Sequence, residues 1–105
     1  QALRDQTISL YQAQTNEITA RLRQQIAIAE QSLKSVKLYQ TAILPQAKLT
    51  VESALAAYQV NRVDFLTLLD NQMTVFDFET SLITAMANYN KAVAEIDLLA
   101  GKKQH

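Results

Sequence analysis

Two residues punctuate this chain, Pro45 and Gly101, and they are the only proline and the only glycine in 105 residues. Tight turns, strand bulges and helix stops draw on these two residue types, so a chain this poor in them makes few turns. The rest is rich in Ala, Leu and Gln, all good helix formers. The expected fold is all-α, a long antiparallel helical hairpin of coiled-coil character in which residues 1–105 form a single unit.

Charge and chemistry narrow the function classes. Ten basic and ten acidic side chains cancel, which argues against nucleic acid as a partner, since that calls for a basic patch. Without cysteine there is neither a disulfide framework nor a thiolate metal site. No apolar run reaches the 18 or so residues of a membrane span, and no signal peptide is visible. The only histidine is the terminal His105, and no serine has a histidine partner at a sensible place. Asp77 and Glu79 fall on different helix faces, too poorly matched for a carboxylate metal pair. Met73 and Met86 read as gap-fillers of a core. The sequence therefore implies no catalytic residues, no metal and no cofactor.

Periodicity sets the architecture. Steps of three and four run through Leu22, Ile26, Ala29, Leu33, Val36, Gln40, Ile43, Ala47, Thr50, Ala54 and Ala57, a heptad-like seam in a helix expected over about residues 3–59. Glu17 with Arg21, and Glu30 with Lys34, form i,i+4 pairs. Pro45 lies inside this pattern and allows two readings: a break near Leu44, or a bend with the helix continuing. Because the seam keeps phase from Ile43 to Ala47, the bend is favoured.

The turn falls at about residues 59–63. Asn61 is the residue there best suited to a left-handed conformation. Asp64 reads as an N-cap accepting from the N–H of Leu66 or Thr67, with Val63 and Leu68 as a hydrophobic staple. A second helix is expected over about 65–100, closed by Gly101. It carries two apolar seams. Leu69, Met73, Phe76, Ile83 and Ala87 form one; Leu68, Val75, Leu82, Met86, Tyr89, Val93 and Ile96 form the other. A helix in an isolated hairpin needs one seam, so the second implies a second neighbour. Acids dominate this helix and bases the first, which favours ion pairing between them. Folding at Asn61 sets Ala100 opposite Arg23 and leaves the first 20 or so residues projecting, about 30 Å at 1.5 Å per residue. Such a chain reads as part of a larger assembly whose exposed seams drive self-association, as an antiparallel dimer or small bundle.

Residues 54–75, Ala-Leu-Ala-Ala-Tyr-Gln-Val-Asn-Arg-Val-Asp-Phe-Leu-Thr-Leu-Leu-Asp-Asn-Gln-Met-Thr-Val, resemble a signature of the TolC-type outer-membrane efflux proteins, the outer-membrane channels of tripartite pumps. Leu44-Pro45-Gln46-Ala47 is similar to that family's Leu-Pro-x-Ala, and Tyr89 through Gly101 resembles its C-terminal helix. No single motif is diagnostic; their order and spacing carry the resemblance, which is strongest from about 43 to 101.

The resemblance implies a fragment of the family's second repeat. Residues 1–59 would descend through the periplasm, 59–63 would form the tunnel tip and 65–100 would return, within a homotrimer whose helices close an α-barrel. A periplasmic adaptor and an inner-membrane pump would be the partners, and the outer membrane the location, with this segment in the periplasm. Asp70 would face the entrance as part of an acidic ring. A second ring Asp found in the best-known member is Thr67 here, which weakens the ring's charge. Tyr58 matches a latch residue of the tip, Asn61 stands where Gly is usual, and Arg62 and Asp64 lie near the adaptor-docking surface. A reading from another class, a soluble coiled-coil hairpin serving an adaptor or scaffold, accounts for the same seams.

Overall fold

The computed structural model describes residues 2–104 and the side chains of 3–102. The chain is an all-α helical hairpin. Helix α1 spans Ala2–Leu38 and α2 spans Leu44–Gln59, joined by a π-helical segment at Tyr39–Ile43; α3 spans Phe65–Gln104. The chain divides into two compact units. A tip unit, Ser32–Ala87, holds the π-helical segment, α2, the turn and the first half of α3; the other joins residues 2–31 to 88–104.

Within the tip unit the inward positions of α3 are Leu68, Asn71, Val75, Phe78, Leu82 and Ala85, buried or half-buried. Their strict alternation of three and four is the coiled-coil pattern. In the other unit the same alternation gives Tyr89, Ala92, Ile96 and Leu99. Ala92 is 1% exposed and Leu99 4%. Small residues are buried beside the leucines in both: Ser32, Ala54 and Ala85 with Leu44 and Leu68 in the tip unit, Ala29 and Ala92 with Leu99 in the other. Small side chains at a seam let two helix backbones approach closely.

The first helical stretch departs from the expected seam. Leu22, Ala29, Leu33, Val36, Ile43, Ala47, Ala54 and Ala57 are buried or half-buried, but Ile26, Gln40 and Thr50 are exposed, and Gln25, Tyr39 and Val51 take their places. The inward run Ser32, Val36, Tyr39, Ile43, Ala47, Val51, Ala54 steps by four three times in succession around the π-helical segment, where alternation would step four, three, four. That is one extra residue. A π-turn absorbs one residue while keeping the chain helical. Leu44 N–H donates to the Tyr39 carbonyl five residues back, and Leu38, Ile43 and Leu44 all keep right-handed helical φ and ψ.

The helix therefore continues through Pro45, the favoured reading, by a specific device. In an α-helix Pro45 would leave the Thr41 carbonyl without its donor and press its ring against it. The π-turn immediately upstream shifts the partners, and Pro45 enters the first turn of α2, where an N–H is dispensable. Thr41 Oγ1 donates to the Lys37 carbonyl at 2.6 Å, one of seven threonine hydroxyls tied to the carbonyl four residues back.

Two further expectations are corrected. Gly101 does not stop α3, which runs on to Gln104. No glycine has positive φ, so no left-handed cap forms there; the glycine costs about 1 kcal/mol relative to alanine, and the helix-favouring residues beyond it carry the ladder on. Nor do the helices pair their charges. The one ion pair among the described residues is Arg21 with Glu17 at 2.8 Å, within α1. Glu30 with Lys34 does not close, and the acids of α3 find no base across the seam. Sums of charge along a helix say nothing about register, and exposed long side chains gain little by fixing one geometry. His105 lies outside the described residues.

Candidate functional site: the tip and the open ridge

The tip is built from backbone bonds outward. Val60 sits at φ −107°, ψ 17° and Asn61 at φ 62°, the one non-glycine residue with positive φ among those described. Arg62 N–H donates to the Ala57 carbonyl at 2.8 Å, and Asn61 N–H to the Tyr58 carbonyl at 3.0 Å. A six-to-one bond enclosing a five-to-two bond around a left-handed residue is a Schellman motif. It satisfies the Ala57 and Tyr58 carbonyls of α2 and reverses the chain. Asn61 serves where glycine is commoner because its short polar side chain tolerates the left-handed region.

The return is capped by Asp64. Its Oδ1 accepts from Thr67 N–H at 2.9 Å and from Thr67 Oγ1 at 2.7 Å. These two donors, the hydroxyl first, hold the Asp64 carboxyl below its ordinary pKa. Leu68 is buried and Val63 half-buried, as a staple across the cap requires. Phe65 lies edge-on to Tyr58, ring centroids 6.1 Å apart at 60°, a favoured aromatic geometry that ties the end of α2 to the start of α3. Tyr58, Asn61, Arg62, Val63, Asp64 and Thr67 line an open cleft of about 590 Å³.

The structure thus brings together five of the six residues singled out from sequence, Tyr58, Asn61, Arg62, Asp64 and Thr67. Asp70 is not among them: it is exposed one turn further along α3 and lines no part of that cleft. Thr67 has a local task, since its hydroxyl is committed to the Asp64 cap. Among the described residues no three His, Cys, Asp or Glu side chains could share a metal ion, and no helix is long and apolar enough to cross a membrane.

The other feature of the tip unit is an apolar ridge on α3. Of its two expected seams, the one through Leu68, Val75 and Leu82 turns inward except at Met86, which is exposed, while Leu69, Met73, Phe76 and Ile83 remain 41%, 54%, 63% and 66% exposed, so neither methionine fills a core gap as expected. Ala87 continues the open line. Beside it lies a groove of about 380 Å³ lined by Val51, Val75, Phe76 and Gln72 together with the charged Lys48, Glu52 and Glu79. A second groove is lined by Ile43, Gln46, Ala47, Thr50, Asn71, Thr74 and Phe78 and has no charged residue. Sequence reasoning found the ridge but missed the groove, whose Lys48 and Glu52 become neighbours of Glu79 only once the register is known.

Compared with protein-family models, with curated proteins and with solved structures, the chain has no match in any of the three.

Proposed function

We propose that this chain is the tunnel-tip hairpin of an outer-membrane efflux channel of the TolC type, a passive duct that a periplasmic adaptor joins to an inner-membrane pump. The observation that carries the reading is the open ridge Leu69, Met73, Phe76, Ile83 beside a seam already buried within the chain. A helix in a self-sufficient hairpin buries one apolar stripe. A stave in a barrel of helices buries one toward each neighbour, and α3 has a second to bury. The tightly capped turn, with the Ala57 and Tyr58 carbonyls both bonded, suits a tip that must hold its shape as a docking point. Tyr58, Asn61, Arg62 and Asp64 supply the exposed groups for that docking.

In this reading Asp70 acts through charge alone. Exposed and free of any ionic partner among the described residues, three copies around an entrance would attract cations and repel anions. Asp70→Asn in the full-length channel is expected to reduce cation preference and to weaken block by multivalent cations, as measured on single channels in planar bilayers. Unchanged conductance and selectivity would remove Asp70 from the entrance.

The same ridge serves the second reading, a coiled-coil interaction module of an adaptor or scaffold. The complete open reading frame separates the two. A signal peptide and amphipathic strands upstream belong to the channel, whereas a reading frame that ends close to both termini of this chain belongs to the module.

A further inference from the structure

The tip unit's two grooves differ in a way that neither function uses. One is uncharged, and the other sets Lys48 beside Glu52 and Glu79, next to the α3 ridge. None of these three side chains makes an ion pair among the described residues. Phe76 belongs to both features: it helps line the charged groove and is a crest of the ridge, 63% exposed. A face that holds both signs of charge and an apolar crest is complementary to itself, because a two-fold axis sets each base against the other copy's acids.

We propose that two copies of this chain associate through that face. The Phe76 crest of each lies along the groove of the other, and each Lys48 reaches Glu52 and Glu79 of its partner copy. The other groove offers no charge with which to fix a register, and the far edge of α3, with Asp70 and Asp77 exposed, would set acid against acid. This contact concerns the chain by itself and does not depend on the channel reading.

Sedimentation equilibrium of the 105-residue chain tests it over a wide concentration range, with far-UV circular dichroism to check that each variant stays helical. The expected result is a reversible monomer–dimer equilibrium that weakens as salt rises. Phe76→Glu, on an exposed position, is expected to weaken association at least tenfold. Lys48→Glu should weaken it less, and Lys48→Glu with Glu79→Lys should restore it. Should Phe76→Glu disturb the helix, Met73→Lys beside it is expected to have the same effect. A monomer at every concentration overturns the proposal. So does a dimer that survives Phe76→Glu but dissociates with Leu10→Glu on the other unit, or a charge exchange that fails to restore what Lys48→Glu removed. Failure here leaves the channel reading intact, since that stands on conductance of the full-length protein.

Discussion

Helical hydrogen bonding is interrupted at two places in this chain, and the outcomes are opposite. At Asn61 the helix ends and the chain reverses; at Pro45 it continues. The difference lies in what the interruption does to φ and to the orphaned carbonyls. Asn61 takes φ to 62°, which no right-handed helix can absorb, and the Schellman bonds to Ala57 and Tyr58 close the end. Pro45 removes a donor but holds φ near its helical value. One extra residue in the preceding turn re-partners the backbone through the Leu44 to Tyr39 bond. Helix termination is thus decided by the sign of φ, while a missing N–H alone can be repaired.

The sharpest break of this comparison exchanges the two devices. Asn61→Pro imposes negative φ where the turn needs positive, and deletes the N–H that bonds Tyr58. A loss of about 3 kcal/mol is expected in chemical denaturation, whereas Asn61→Gly should be within a few tenths. If Asn61→Pro left stability unchanged, the left-handed residue would not be what makes the turn.

Next in size is packing beside the repair. Leu44, the residue after the π-turn, is 7% exposed. Leu44→Ala should cost about 2–4 kcal/mol by lost burial and a residual cavity, read as a fall in denaturation midpoint at constant slope. A cost below about 1 kcal/mol would mean that the helix around Pro45 is loosely seated.

These two sites also differ in how much could be read beforehand. The tip was legible because its chemistry is local: Asn61 for left-handed φ, Asp64 for the cap, Val63 and Leu68 for the staple are all encoded within a few positions. The helical class and the second seam of α3 were legible for a similar reason, as periodicity needs no tertiary knowledge. The choice between Ile26 and Gln25, or Thr50 and Val51, was not. Leu22, Ala29, Val36 and Ile43 belong to either line, and only the opposing helix and the inserted residue decide which flank turns in. Proline announced an interruption at 45 but not the π-turn upstream of it. Gly101 announced a stop that its neighbours did not need.

A smaller effect separates proline from phase as the origin of the π-turn. If proline alone forces it, Pro45→Ala relaxes the segment to α-helix. If the extra residue in the seam requires it, the π-turn survives that substitution, and stability changes by less than about 1 kcal/mol. We expect survival, because a plain α-helix would carry Val51 and Ala54 off the inward face. Removing Ala42 together with Pro45→Ala should then abolish the π-turn and restore steps of three and four. Backbone chemical shifts and exchange of the Leu44 amide read both outcomes.

The smallest effect distinguishes two threonine hydroxyls. Thr67 Oγ1 donates to a carboxylate, that of Asp64, at 2.7 Å; Thr41 Oγ1 donates to a backbone carbonyl, that of Lys37, at 2.6 Å. Only the first acceptor titrates. The donors lower the Asp64 pKa in the folded chain, so the folded state binds fewer protons there than the unfolded state over that range. The stabilisation is fully present above the unfolded pKa and is lost as pH falls through the folded one. Thr67→Val should therefore reduce stability at neutral pH and bring the profile closer to flat on the acid side, and Asp64→Asn should remove this part of the acid dependence. Thr41→Val should shift stability by the same amount at every pH. Denaturation midpoints across the acid range provide the test: parallel curves for wild type and Asp64→Asn would show that the cap carries no linkage, and a pH-dependent Thr41→Val effect would show that the π-turn is coupled to a charge its backbone bonds do not supply.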